Sequence, residues 1–156
     1  MADISSITLS IPAPVLLKPT DAQGYLASAK GMFEGIKPLA AVSPLPVYAI
    51  TLLCGHACEA SLKALLSKSG MKATELSRKP FGHDMLKLWE AAEQDGYSLT
   101  PSPPRWLVSL DQVYGRPFYL RYPLGFHGIG FPNQTEMIEG TEYLLRLALS
   151  AVEQAS

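Results

Sequence analysis

Cys54, His56 and Cys58 stand at alternate positions, a pattern that in an extended chain could grip a metal. The segment around them reads as a helix, however. There residue 56 points roughly 160–200° away from residues 54 and 58, so the three cannot converge on one ion. Neither a metal nor a cofactor is expected. The two cysteines lie one helical turn apart, a spacing that suits buried thiols better than a disulfide. His56, Glu59 and Lys63 are stronger candidates. They fall at i, i+3 and i+7 on a segment otherwise apolar almost all round. Ionisable groups in such a setting are costly unless paired. Glu59 and Lys63 have the favourable i, i+4 order, and His56 belongs to the one residue type that titrates near neutrality. The stripe is a structural polar seam, or simply the solvent face, or else the polar wall of a binding cleft.

Two further groups carry chemistry. His83 and Asp84 follow Gly82 at the start of another helical segment. An acid there offsets the positive end of the helix dipole, and His83 either caps the helix or joins a site. The stretch 105–131, RWLVSLDQVYGRPFYLRYPLGFHGIGF, holds seven of the chain's fourteen aromatic residues, and Arg105, Arg116 and Arg121 face a single acid, Asp111. Arginine beside rings such as Tyr119 and Tyr122 supplies the phosphate forks and stacking surfaces that a single-stranded nucleic acid or a nucleotide requires. Alternatively, the rings pack beneath the loop as a satellite core.

Helices must position these groups. A capping-box pair, Thr20 and Gln23, opens a first helix over about 21–37. A second spans about 45–69 and stops at Gly70; being apolar on nearly every face, it should lie at the centre. A third runs over 84–95 and a fourth over 104–114. Residues 115–132, with seven Gly and Pro, form a loop, and such long loops are more often functional than idle. The last helix follows Asn133, its cap with Glu136, and continues to about 154. Its buried face is Met137, Ile138, Leu144, Leu145, Ala148, Ala151 and Val152. The expected fold is therefore all-α, an up-and-down bundle of about five helices forming one domain over 20–156. Residues 1–19 form an irregular arm in which a short edge strand over 7–11 could fit. On the first helix Gly24, Ser28, Gly31 and Gly35 stack along one line. Glycine costs up to ~1 kcal/mol per helix position against alanine, so the stripe marks either a close helix approach, within the chain or across a dimer, or tolerated glycines.

Composition narrows the field. The chain is 156 residues long, 47% hydrophobic and 17% charged, with a net charge of −1. One core of ordinary size follows, and no whole-molecule field that would attract nucleic acid. A polyanion would have to be held by a local patch. The first residues lack a basic leader, and no run of 18 apolar residues occurs, so no spanning helix and no membrane partner are expected. A reducing cytoplasm fits the two thiols.

The blocks GHACEASLKALLSKSG, GHDMLKLWEAA and RYP, in this order and spacing over about 45–125, resemble the HEPN family of small bacterial helical domains. Many HEPN proteins are dimeric, metal-independent ribonucleases of toxin–antitoxin and phage-defence systems. The resemblance implies an Arg-x(4–6)-His active-site motif, which Arg121 and His127 supply with five residues between them. A histidine can take or give the proton of a ribose 2′-OH or leaving oxygen, and an arginine can neutralise the phosphate. Catalytic members open a helix at the motif and usually place a polar residue after the arginine; here Tyr122 and Pro123 follow. Two expectations result. One is a dimeric HEPN-like module that binds RNA, a nucleotide or a cognate protein through segment 105–131, with His56, Glu59, Lys63, His83, Asp84, Arg116, Tyr119 and Tyr122 as binding candidates. The other is a metal-independent endoribonuclease using Arg121 and His127.

Overall fold

The computed structural model describes residues 18–122 and 128–153. They form six α-helices and, among the described residues, no strand: α1 Asp21–Ala40, α2 Val47–Lys68, α3 Ala73–Leu76, α4 Met85–Gln94, α5 Arg105–Tyr114 and α6 Gln134–Glu153. The all-α bundle is as the sequence patterning predicts. The edge strand at 7–11 and most of the N-terminal arm lie outside the described residues.

Local chemistry sets the helix ends. Thr20 and Gln23 form a reciprocal capping box at the start of α1. This helix runs past Lys37 through Pro38 to Ala40, because a proline in the last turn removes only one internal hydrogen bond. Gly70, at φ 108°, ends α2, and Met71 N–H reaches back to the Leu66 carbonyl. Asn133 Oδ1 accepts from Glu136 N–H at the start of α6. One element is unforeseen: α3 is a single turn, too short to carry a periodic pattern. Glu75 closes that turn on Lys72 N–H, and Asp21 ties it to α1 by accepting from Ala73 N–H.

Helix α2 is the core, packed by α1, α6, α4 and α5. Fourteen of its residues are buried, including Ile50, Cys54, Leu62, Leu65 and Leu66. By length and composition it would pass as a membrane span, contrary to the expectation from apolar run length. Yet 78% of that stretch is buried among the other helices, the burial expected of a bundle's central helix. Cys54 and Cys58 are unbridged thiols inside this core, Cys58 Sγ lying 3.2 Å from Thr141 Oγ1. Burial pushes the Cys54 thiol up to about 11, so it stays protonated at neutral pH.

Among the described residues, the glycines of the α1 stripe meet another helix only at Gly35. A Cβ at Gly24 or Gly31 would have no atom within 4 Å, and at Gly35 it would only touch Leu53. The close approaches lie elsewhere. The ring of Tyr114 lies on Gly55 of α2, and that of Trp106 lies on Gly140 of α6. In this way α5 is pulled against both long helices.

Candidate functional site

The carboxylate of Glu59 is the hub of the molecule's main polar cluster. Although buried, it takes hydrogen bonds from three elements. Lys63 Nζ, one turn on in α2, donates to Oε1 at 2.6 Å. His83 Nδ1, in the segment before α4, lies 3.0 Å from Oε2 and 3.2 Å from Oε1. The Tyr114 hydroxyl at the end of α5 donates to Oε2 at 2.7 Å. Burial alone would raise the carboxyl's pKa, but the hydrogen bonds from Lys63, His83 and Tyr114 outweigh it and hold the group below its ordinary 4.5. Glu59 is ionised at neutrality. Burial and this same carboxylate push the Tyr114 hydroxyl far above its usual 10.0, so it stays a donor.

Tyr114 carries the hub outward. His56 Nδ1 lies 3.1 Å from its oxygen, and Arg121 NH2 donates to that oxygen at 3.3 Å. The imidazole of His56 stands edge-on to the Tyr114 ring. Burial and the neighbouring Arg121 charge hold His56 below its ordinary 6.5, so it is largely neutral at pH 7.

Beyond Tyr114 the loop stacks charge on ring. The Arg121 guanidinium carbon lies 5.3 Å from the centroids of both Tyr114 and Phe118, and that of Arg116 lies 6.0 Å from Phe118. His83 and Tyr122 stand edge-on to the same Phe118 ring. Phe118 is held at φ 68°, the left-handed region a bulky side chain rarely enters. Such a conformation costs about 1–3 kcal/mol and persists only where its surroundings enforce it. Here the Gly115 carbonyl receives its N–H, and its own carbonyl receives the N–H groups of Arg121 and Tyr122.

No carboxylate lies within ion-pairing distance of Arg121 or Arg116 among the described residues. The Nε of Arg121 is buried without a hydrogen-bond partner among the described residues. A cleft of about 730 Å³ adjoins the cluster, lined by Lys79, Phe81, His83, Asp84, Asp111 and Arg116 among others. Both acids in it serve the first turn of α4. Asp84 caps the helix by accepting from Lys87 N–H, and Asp111 Oδ1 accepts from Met85 N–H. Burial raises the Asp111 carboxyl above its ordinary 3.8, and the Met85 bond opposes that rise.

The fold thus gathers His56, Glu59, Lys63, His83 and Arg121 at one point, with Arg116 and the exposed Tyr122 on its rim. The stripe on α2 is not a solvent face, since both Glu59 and Lys63 are buried. Asp84 lines the cleft but acts as the cap, whereas His83 turns to Glu59. The Tyr119 backbone carbonyl accepts from the hydroxyl of Tyr48, about two turns before His56 on α2. His127 lies outside the described residues. Sequence reasoning missed Tyr114 and Phe118. On α5 Tyr114 sits among Leu107, Leu110 and Val113 and reads as one more core ring; the only signal was Gly55, a glycine one turn before Glu59 in an otherwise filled helix.

Fold and site together define an all-α bundle whose central helix carries a buried carboxylate beneath a loop of alternating cations and rings. No protein-family model, no curated protein and no solved structure matches the chain.

Proposed function

We propose that the chain is a HEPN-like helical module that binds single-stranded RNA, gripping a backbone phosphate with Arg121 and stacking bases on the loop's exposed rings. The state of Arg121 carries this reading. Its guanidinium is fixed against two rings and bonded to one hydroxyl, with no acid beside it among the described residues. A planar cation held this way buries Nε and spends one NH2 donor on Tyr114, and the other donors at its tip are the ones a phosphate oxygen fits. Arg116 supplies a second cation one ring away. Tyr122, 56% exposed, supplies a face for a base, a contact worth about 1–3 kcal/mol. The local patch also suits a chain whose net charge of −1 gives no general pull on polyanions. The HEPN-like reading gains support from the convergence of its three sequence blocks. The Glu59 block, His83 of GHD and Arg121 of RYP meet through one carboxylate and one hydroxyl.

The test is anisotropy of a labelled oligouridylate at several salt concentrations. Wild type should bind with an affinity that falls as salt rises. Arg121→Ala should weaken binding about tenfold or more and reduce the salt slope by about one. Equal binding by the two proteins would end the proposal.

A second reading is a metal-independent endoribonuclease that uses Arg121 and His127. What favours it is imidazole close to the arginine: His56 shares the Tyr114 hydroxyl with Arg121, His83 meets the same Phe118 ring, and further acid–base groups there would suit such cleavage. Cleavage in excess chelator, giving cyclic-phosphate ends and lost in His127→Ala, is the required result. Intact RNA in chelator removes this reading and leaves binding.

A further inference from the structure

We propose that His56 is the proton-linked second arm of the Arg121 anion site, becoming charged as a phosphodiester arrives, so that RNA binding takes up a proton. The inference rests on the reading of this face as an RNA site and adds its regulation.

The argument begins with one hydroxyl. Arg121 NH2 and His56 Nδ1 lie 3.3 and 3.1 Å from the Tyr114 oxygen, so cation and imidazole are neighbours held by a common atom. A phenol has a single proton to give. Tyr114 gives it to the ionised Glu59 at 2.7 Å, the shortest of its three contacts and the only one to a carboxylate. Towards His56 the oxygen is then an acceptor, and Nδ1 must be the protonated nitrogen. This fixes the tautomer and leaves the lone pair on Nε2. That atom has no partner among the described residues, and His56 as a whole is only partly buried. Protonating Nε2 disturbs no bond in the cluster, because Nδ1–H donates to Tyr114 in either charge state.

Charge explains why the proton waits. The groups facing His56 are Glu59 on its own helix, Tyr114 from α5, Arg121 from the loop after α5 and His83 from the segment before α4. Burial and Arg121 oppose a positive imidazole, as does His83 when charged, and Glu59 favours one. Glu59 already serves Lys63, His83 and Tyr114. A phosphodiester anion at Arg121 cancels the nearest opposing charge and adds an attraction of its own. Whatever anion binding adds to His56 basicity, protonation must add to anion affinity, since the coupling is reciprocal.

The experiment uses an oligouridylate without terminal phosphates, whose charge does not change between pH 5 and 8, at fixed ionic strength. Wild-type affinity should rise towards acid by up to tenfold per pH unit, as one linked proton requires, and level off at each end. His56→Gln should flatten the profile, while His83→Gln keeps the slope whatever it does to the affinity itself. Calorimetry of wild type in buffers of different ionisation enthalpy should count a proton taken up on binding. Histidine NMR should place the His56 titration higher in the complex than in the free protein; this needs no variant to fold. A flat wild-type profile, a slope that survives His56→Gln, or a His56 titration unmoved by RNA overturns the inference and leaves RNA binding standing. No binding at any pH removes the functional reading and this inference with it.

Discussion

Gly55 and Tyr114 touch so closely that only hydrogen fits at position 55: a Cβ there would stand 2.2 Å from Tyr114 Cδ2. The phenol can therefore lie flat on α2 and reach the carboxylate one turn away. Gly55→Ala must push the ring off or bend α2. The expected cost is about 1–3 kcal/mol of stability, the usual penalty for overpacking a filled site. Urea unfolding would measure it. RNA affinity should fall as well, because Arg121 loses the hydroxyl that orients it. Unaltered stability would mean the ring has another seat.

Glu59 and Lys63 form a buried ion pair, with side chains 10% and 7% exposed. Removing one member strands the other's charge. Glu59→Leu should cost about 3–5 kcal/mol, since Lys63 would then be buried without its counter-ion. The double variant Glu59→Leu/Lys63→Met should recover part of that loss, because two apolar chains replace two desolvated charges. Denaturation of the three proteins checks this, and a double variant no better than the single one would contradict it. RNA binding should remain poor in both variants.

Gly31 offers the contrasting glycine. Among the described residues, nothing stands within 4 Å of a Cβ placed there. Alanine should therefore add helix propensity without a clash and raise stability by about 0.5–1 kcal/mol. A lowered melting temperature would show that this face is covered, and a change of mass in light scattering that another chain covers it.

Much of this arrangement could be read from residue types, and the parts that could not share one physical reason. His56, Glu59 and Lys63 are neighbours through helix geometry alone, so spacing reveals them. Asn133, Thr20 and Gly70 mark helix ends through purely local hydrogen bonding. The partners of Glu59 come from 24 and 55 residues away, and no periodic pattern encodes such a meeting. Tyr114 carries the same apolar signature as Leu107 and Leu110 beside it, since a phenol in a core differs from a leucine only through what its hydroxyl finds. His83 and Asp84 show the reverse difficulty. Either could cap α4 on sequence, and the carboxylate of Glu59 decides between them by claiming the imidazole. The α1 glycines are legible as an oddity, and among the described residues no unusually close approach explains them.

Acid should unfold the protein in two stages. His56 is held below its ordinary 6.5 in the folded state, so the unfolded chain binds its proton more readily. Its contribution is fully present above about pH 6.5 and is lost as pH falls towards the folded value. Glu59 is likewise depressed, below 4.5. The stability it brings is present above that pH and disappears as pH falls through its folded value. Urea unfolding between pH 8 and 3.5 should show both declines. His56→Gln should abolish the upper one and keep the lower. A single decline confined to pH below 4.5 in wild type would contradict the depressed His56.

Arg121 also allows charge to be separated from shape. Arg121→Lys keeps the positive charge but loses the planar face that lies 5.3 Å from the Tyr114 and Phe118 centroids, together with the forked donors. If the site needed only a cation, lysine would bind RNA as arginine does. If the flat guanidinium is what the rings hold ready, lysine should recover the salt slope of wild type but not its affinity, falling between wild type and alanine. Phe118→Leu tests the same idea from the ring's side, because it removes the stacking face for Arg121 and Arg116 and leaves both charges. Its affinity should drop about as far as that of Arg121→Lys, and combining the two changes should cost less than the sum of the separate losses. Strict additivity would show that ring and guanidinium act independently.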